Sequence, residues 1–403
     1  VNRRTLEQAI IAAALSLGMA AAAMADIITV INTNDAGAGS FRQAIAEAHD
    51  GDTIEFDSEL KGQTIILTSG ELAIDASIVI NGPGANLLGI SRDQNSTAFR
   101  VFHVMPDRSV RIRGVTISNG LAQFDSGGGI LNETSELVLI DCRLNDNVTQ
   151  ATGGAICNCF PTSRLTIEGS TLTGNVAGDY GGAIANSGTL IVTDTTLDGN
   201  RGEFTGGAIV NDGSLTISNS TVSGNTTQLH GGGIANVSGQ STILNTTLTG
   251  NSGSTAGAIY NRLGSLEITN TILNAGDAGP NVLNDLGTVT SDGFNLSSDD
   301  AGGVLTGTGD RINTDPLLGP LRDNGGPTFT HAPLPKSPVI DTGDPKFTPP
   351  PFNDQRGLGF SRVVDERIDI GSFEVQAAPT PTPTAAPRPT RGARHRPTPI
   401  PRP

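Results

Sequence analysis

The sequence predicts an all-β fold, a right-handed parallel β-helix (a solenoid of about 25 residues per coil) with a short N-terminal capping helix. Three observations predict it: a phrase that recurs at near-constant spacing, strand-type alternation inside each repeat, and an unusual composition. The 403 residues include 52 Gly, 13 Phe, 2 Tyr and no Trp. So little aromatic bulk suits a long, thin core of Ile, Leu and Val better than one broad globular core.

The phrase Gly127-Gly128-Gly129-Ile130-Leu131-Asn132 returns as Gly153-Gly154-Ala155-Ile156-Cys157-Asn158. It recurs over 181–186, 206–211, 231–236 and 256–261, so its closing Asn advances by 26, 28, 25, 25 and 25 residues. A fixed period in this range marks a solenoid, whose units bury their apolar faces only against their neighbours. Within a unit, Leu190 and Val192 alternate with polar residues, and Thr195 and Leu197 resume the alternation after a one-residue slip. Alternation means strands with one buried face, and the slip is a corner between two of them. The Gly-Asn pairs at 174–175, 199–200, 224–225 and 250–251 mark another turn, since both residues tolerate left-handed backbone angles. The glycine-led phrase is the third strand of each coil.

Stacked in register, the coils should align three columns. One holds Ile130, Ile156, Ile184, Ile209, Ile234 and Ile259; a second holds Leu139, Ile167, Val192, Ile217, Ile243 and Ile268. A third, of small residues at the corner, holds Cys142, Ser170, Thr195, Ser220, Thr246 and Thr271. Asn132, Asn158, Asn186, Asn211, Asn236 and Asn261 form a row best read as a structural ladder between coils, not a binding row.

The ends are less regular. Asn2-Arg3-Arg4, the apolar stretch from Ala9 to Ala22 and Ala23-Met24-Ala25 have the layout of a secretory signal peptide over 1–25. No transmembrane segment is expected after its cleavage. Residues 26–120 read as an N-terminal cap with irregular coils, with strands at Asp26 to Ile31, Thr53 to Phe56, Thr64 to Leu67, Leu72 to Ile80, Phe99 to Val104 and Val110 to Ile117. Ser40 should cap a short helix that buries Phe41, Ala44, Ile45 and Ala48 over the open end of the core. Residues 121–275 hold the regular repeats, 276–376 the last coils and a C-terminal cap, and 377–403 an unstructured Pro/Thr/Arg tail.

Several segments resemble bacterial cell-surface proteins. Asp35 to Ile45, followed by Gly51-Asp52-Thr53-Ile54-Glu55-Phe56, is similar to the start of CSLREA-type β-helix proteins, though without the cysteine of that name. The Gly-Gly-Ala-Ile repeats resemble those of polymorphic outer membrane proteins. Residues 315–327, Ser337 to Asp341, Asp354-Gln355-Arg356-Gly357 and Asp369-Ile370-Gly371 resemble the choice-of-anchor Q domain. The resemblance implies a bacterial surface location and this architecture, not a reaction. It also suggests Asp341, Asp354, Arg356 and Asp369 as a buried polar cluster fastening the last coil.

Forty acidic against 25 basic residues, net −15, exclude nucleic acid as a natural partner of the body. Three cysteines are too few for a disulfide scaffold; Cys142 could pair with Cys157 or Cys159 between neighbouring coils, leaving one free, and the sequence does not fix the pairing. No catalytic residue can be named: Asp194, Asp198, Glu203 and Asp212 are scattered, and the histidines show no ligand spacing. No metal ligands are assigned and no cofactor is expected, calcium having only a weak lead in Asp292, Asp299, Asp300 and Asp310. Phe124, Tyr180, Phe204 and His230 place nearly one ring per coil in the variable loops, where solenoids carry contacts, and are the candidate binding residues. The expected function is a secreted or cell-surface, non-catalytic protein of adhesion or polysaccharide binding. Its partner would be an extracellular polysaccharide or a host or neighbouring cell surface. The alternative is a carbohydrate-active enzyme, pectate lyase-like or polygalacturonase-like, acting on an extended polysaccharide.

Overall fold

The computed structural model describes residues 25–376. All but the last residue of the expected signal peptide, and the whole 377–403 tail, lie outside that range. Each regular coil runs through three longer strands and one very short one. In one coil these are Ile184–Asn186, Thr189–Thr193, Thr196–Asp198 and Arg201–Gly202. Stacking coil on coil gives four parallel sheets, here called I to IV in that order, with nine, eleven, ten and five strands. Among the described residues no helix is long and apolar enough to cross a membrane.

The predicted columns are in register. Ile156 pairs with Ile184, and Ile184 with Ile209, in sheet I; Ile167 pairs with Val192, and Val192 with Ile217, in sheet II. Those isoleucines and Val192 are fully buried in one core that runs the length of the stack. The slip between sheets II and III is a single left-handed residue. Asp141, Gly169, Asp194, Asn219, Asn245 and Asn270 hold φ of 51°, 56°, 51°, 53°, 46° and 48° there, a region short polar side chains and glycine tolerate best. The small column after it explains its own composition: the Cys142 amide donates to Ser170 Oγ and the Thr195 amide to Ser220 Oγ of the next coil.

The Asn row is a ladder. Asn132 donates to Asn158 Oδ1 at 2.7 Å, Asn158 to Asn186 at 2.7 Å, and the chain of bonds continues through Asn261 to Asn284. The Gly-Asn turns, with Asp146-Asn147 before them, build a second ladder, Asn147 to Asn175, Asn200, Asn225 and Asn251, all fully buried. At Gly182 a Cβ would overlap the carbonyl oxygen of Gly207 one coil on, so only glycine lets the backbones approach there.

The helix is Phe41–Glu47, with Ser40 Oγ accepting from the Gln43 amide. Phe41 is fully buried, 5.1 Å from the Phe56 ring and 6.0 Å from Phe102, and closes the start of the core. Three early strands differ from expectation. Leu72 to Ile80 is two strands, Leu72–Ile74 and Val79–Asn81, in different sheets. Val110 to Ile117 likewise splits into Ser109–Arg113 and Thr116–Ser118, bent at Gly114 with φ 62°. Leu88–Arg92 is a strand the sequence reading did not anticipate.

Two further corrections concern the cysteines and the C-terminal cluster. The disulfide joins Cys157 to Cys159, and Cys142 is the free, buried one. Cys142 faces the core, whereas Cys159 packs in an outer cluster with Ala185 and Val210. Asp354, Arg356 and Asp369 are buried as expected, but Asp341 is exposed, and the segment that carries them reaches beyond the last coil, where Ile370 packs on Leu296. Residues 316–376 return along the outside of sheet III. Thr328 donates to the Asp194 carbonyl, Gln355 to Thr196 Oγ1, Thr221 to Gln355 Oε1, and Asn270 to the Asp369 carbonyl.

Candidate functional site

The outer face of sheet I is where the expected rings come together. In each Ile-x-Asn strand the Ile points inward and the Asn joins the ladder, leaving the middle residue outward. That outward column reads Ala185, Val210, Ala235 and Tyr260 over four coils, in register. Small side chains make a low floor, and Tyr260 closes one end of it. The turn before the strand is one wall, where parallel bridges link Tyr180, Thr205, His230 and Ala256. The residues just after the Asn are the other wall, with Asp212, Val237, Arg262 and Asp285. Between them lies an open groove of about 600 Å³.

His230 and Tyr260 stack, with centroids 4.6 Å apart and planes at 19°. His230 is held from the side by Thr255 Oγ1, 2.7 Å from Nδ1. Tyr260 is buried but its hydroxyl reaches the rim, donating to Asp285 at 3.2 Å. Burial first, then the nearby Asp285 carboxylate, raises the phenol pKa. Tyr180 and Phe204 are 44% and 40% exposed, with centroids 6.4 Å apart. On the opposite wall Asp212 accepts from Ser238 at 2.9 Å.

Of the four predicted residues, Tyr180 and His230 line the groove, and Phe204 stands beside Tyr180 without lining it. Phe124 does not join them. It stands two coils earlier, 87% exposed, beside a separate cleft with Arg100 and Asp125. The intervening coil carries Gln150, Ala151 and Thr152 at the equivalent turn, so the ring row is broken there. Tyr260 was missed by sequence reasoning, which followed the variable turns; its signal was a lone aromatic in a column otherwise small or aliphatic.

The four scattered acids remain scattered. Asp194 sits at the corner between sheets II and III, where burial raises its carboxyl to about 6 although Asn219 donates to it. Asp198 lies on sheet III, and burial raises its pKa too. Glu203 pairs with Arg201 and accepts from Gln228, and Asp212 lies in the groove. Asp198 faces a second cleft, about 390 Å³, shared with Arg143, Asp146 and the returning C-terminal hairpin, while Asp194 lines a different one with Glu168 and Asp344. Asp292, Asp299, Asp300 and Asp310, the weak calcium lead, form no group of three converging ligand atoms among the described residues. Asp299 accepts from Asn281, Ser297 and the Ala301 amide, Asp310 from Asn295, Ser291 and Gly307, and Asp300 from the Gly302 amide.

The model of a family described as right handed beta helix region matches residues 93–252, the stretch that holds most of the regular coils. The stack is a right-handed parallel β-helix. This β-helix is also similar in shape to the crystal structure of pectate lyase Pel9A. Identity there is 12%, covering 87% of this chain and 96% of that one, with a TM-score of 0.40. A likeness that remote carries no argument about chemistry. No curated protein sequence matches the chain.

Proposed function

We propose that this is a secreted or cell-surface β-helix that binds an extended polysaccharide without cleaving it, through the outer groove of sheet I. The observation that carries the reading is the groove lined by Tyr180, His230 and Tyr260 over a floor of small residues, with the Phe204 ring beside Tyr180. Aromatic faces offer flat apolar contact to the C–H faces of sugar rings, while polar rim groups orient hydroxyls. Asp212, Arg262 and Asp285 supply such groups on the opposite wall. Tyr180 and His230 are two coils apart, or about 10 Å by strand spacing, so a ligand touching both must be extended. The signal-peptide layout and the resemblance to surface proteins support the location. The net charge of −15 supports a partner other than nucleic acid or an anionic membrane.

A second reading has one observation in its favour. The cleft on sheet III places Asp198, with its raised carboxyl pKa, near Arg143 and Asp146, the ingredients of a carbohydrate-active enzyme. One experiment separates the two. Purified protein is incubated with neutral and acidic polysaccharides, and both retention and new reducing or unsaturated ends are measured. Retention without new ends, lost on Tyr180→Ala with Phe204→Ala, is the expected result. New ends abolished by Asp198→Asn would overturn the non-catalytic reading.

A further inference from the structure

We propose that Asp341, Asp369 and Glu374 form a divalent-cation site, calcium by its chemistry, which pins the returning C-terminal segment. Among the described residues this is the group of three whose ligand atoms converge, one oxygen from each lying within 4.8 Å of the others. Calcium takes carboxylate oxygens at about 2.4 Å, so two oxygens on one ion can be at most about 4.8 Å apart. The backbone holds the three acids in place. The Asp341 amide donates to Asp369 Oδ1 at 2.7 Å, the Val375 amide to Asp369 Oδ2 at 2.7 Å, and the Asp369 amide to Glu374 Oε2 at 2.8 Å.

A second observation calls for a ligand at the same place. Glu374 is fully buried, and its other oxygen, Oε1, has no hydrogen-bond partner. Leaving a buried carboxylate oxygen unmet is costly, and a cation is what such an oxygen accepts. The local charge agrees. Asp354 is matched by Arg356 in a buried ion pair. The buried Arg362 guanidinium donates to the Asp369 and Gly371 carbonyls and offsets one carboxylate of the three. The group thus holds more carboxyls than the one guanidinium that faces it. The donors are all oxygen, which suits calcium rather than a softer metal. Asp341 is exposed, so the site has an entrance and room for water to complete the coordination.

The position gives the ion a consequence. The Asp369 carbonyl accepts from Asn270, the Gly371 amide donates to the Asn270 carbonyl, and the Ser372 amide donates to Thr247 Oγ1. An ion tying Asp369 to Asp341 and Glu374 therefore fixes the stretch that grips the coils.

The test uses the full chain, stripped with EDTA and titrated with calcium chloride by calorimetry, with thermal unfolding in parallel. About one equivalent should bind and raise the unfolding temperature. Exposed Asp341→Asn, which leaves the buried packing alone, should weaken binding about tenfold or more, since ligand charge sets affinity. Glu374→Gln should do the same where it folds, and Asp300→Asn should leave binding unchanged. No heat and no thermal shift would overturn the site, and would point to a water shared by Glu374 Oε1 and the unpartnered Arg362 nitrogens. Loss of binding in Asp300→Asn but not in Asp341→Asn would overturn it as well.

Discussion

His230 lies flat against Tyr260 of the next coil, 4.6 Å between centroids, with Thr255 bracing the imidazole and Asp285 the phenol. The pair is pre-arranged, so a ligand that stacks on it orders little. An offset aromatic pair adds about 0.5–1.5 kcal/mol beyond its buried area. Tyr260→Ala should therefore lower both polysaccharide retention and thermal stability, whereas Tyr180→Ala, on an exposed ring, should lower retention alone. Affinity electrophoresis beside thermal melts would show the split; equal retention by both variants and the parent would remove the groove from the binding account.

Asn200 is fully buried in the second ladder. Its Oδ1 accepts from the Asn175 amide and side chain, and its Nδ2 donates to the Leu172 carbonyl and to Asn225 Oδ1. Asn200→Ala leaves at least two buried groups unpaired, at about 1–3 kcal/mol each. A loss of about 3 kcal/mol or more is expected in urea unfolding, against less than about 0.5 kcal/mol for exposed Gln123→Ala. Equal, small effects would mean that the ladder is ornamental.

What could be read from the residues was what repeats. Ile156, Ile184 and Ile209 recur on one face of one strand, and Asn158, Asn186 and Asn211 close it, so a 25-residue period reports both core and ladder directly. Tyr260 broke a pattern that nobody reads for function, an outward column of small residues. The returning segment was illegible for another reason. Its grip is made by single polar contacts across great sequence distance, such as Gln355 with Thr196, 159 residues apart. No periodicity marks such pairs. The Cys157–Cys159 bond was missed because stacking drew attention to neighbouring coils, while these two sit on one strand end.

His103 should make the N-terminal coils sensitive to pH. Its ring nitrogens lie 3.2 Å from Glu71 and 2.9 Å from Glu133, with Arg100 and Asp125 close by. A neutral imidazole can donate to one carboxylate, a protonated one to both. The Glu71 hydrogen bond chiefly, opposed by burial and aided by Glu133, raises the His103 pKa above 6.5. Stability from a raised histidine is fully present below the unfolded pKa and is lost as pH rises through the folded one. Unfolding midpoints should thus fall from pH 6 upward, and His103→Gln should flatten that slope. An unchanged slope in the variant would assign the dependence elsewhere.

Cys142 gives a chemical check on the stacking itself. It is 2% exposed in the core, where burial pushes its thiol up to about 11. The thiolate is the reactive form, so burial and a high pKa together silence it. Ellman titration of the native protein should find no reacting thiol, and titration in denaturant should find one, the other two cysteines being joined. Two or three thiols in denaturant would contradict the Cys157–Cys159 bond. One reacting thiol before denaturation would mean that the coil around Cys142 opens, which the continuous core on both sides of it does not allow.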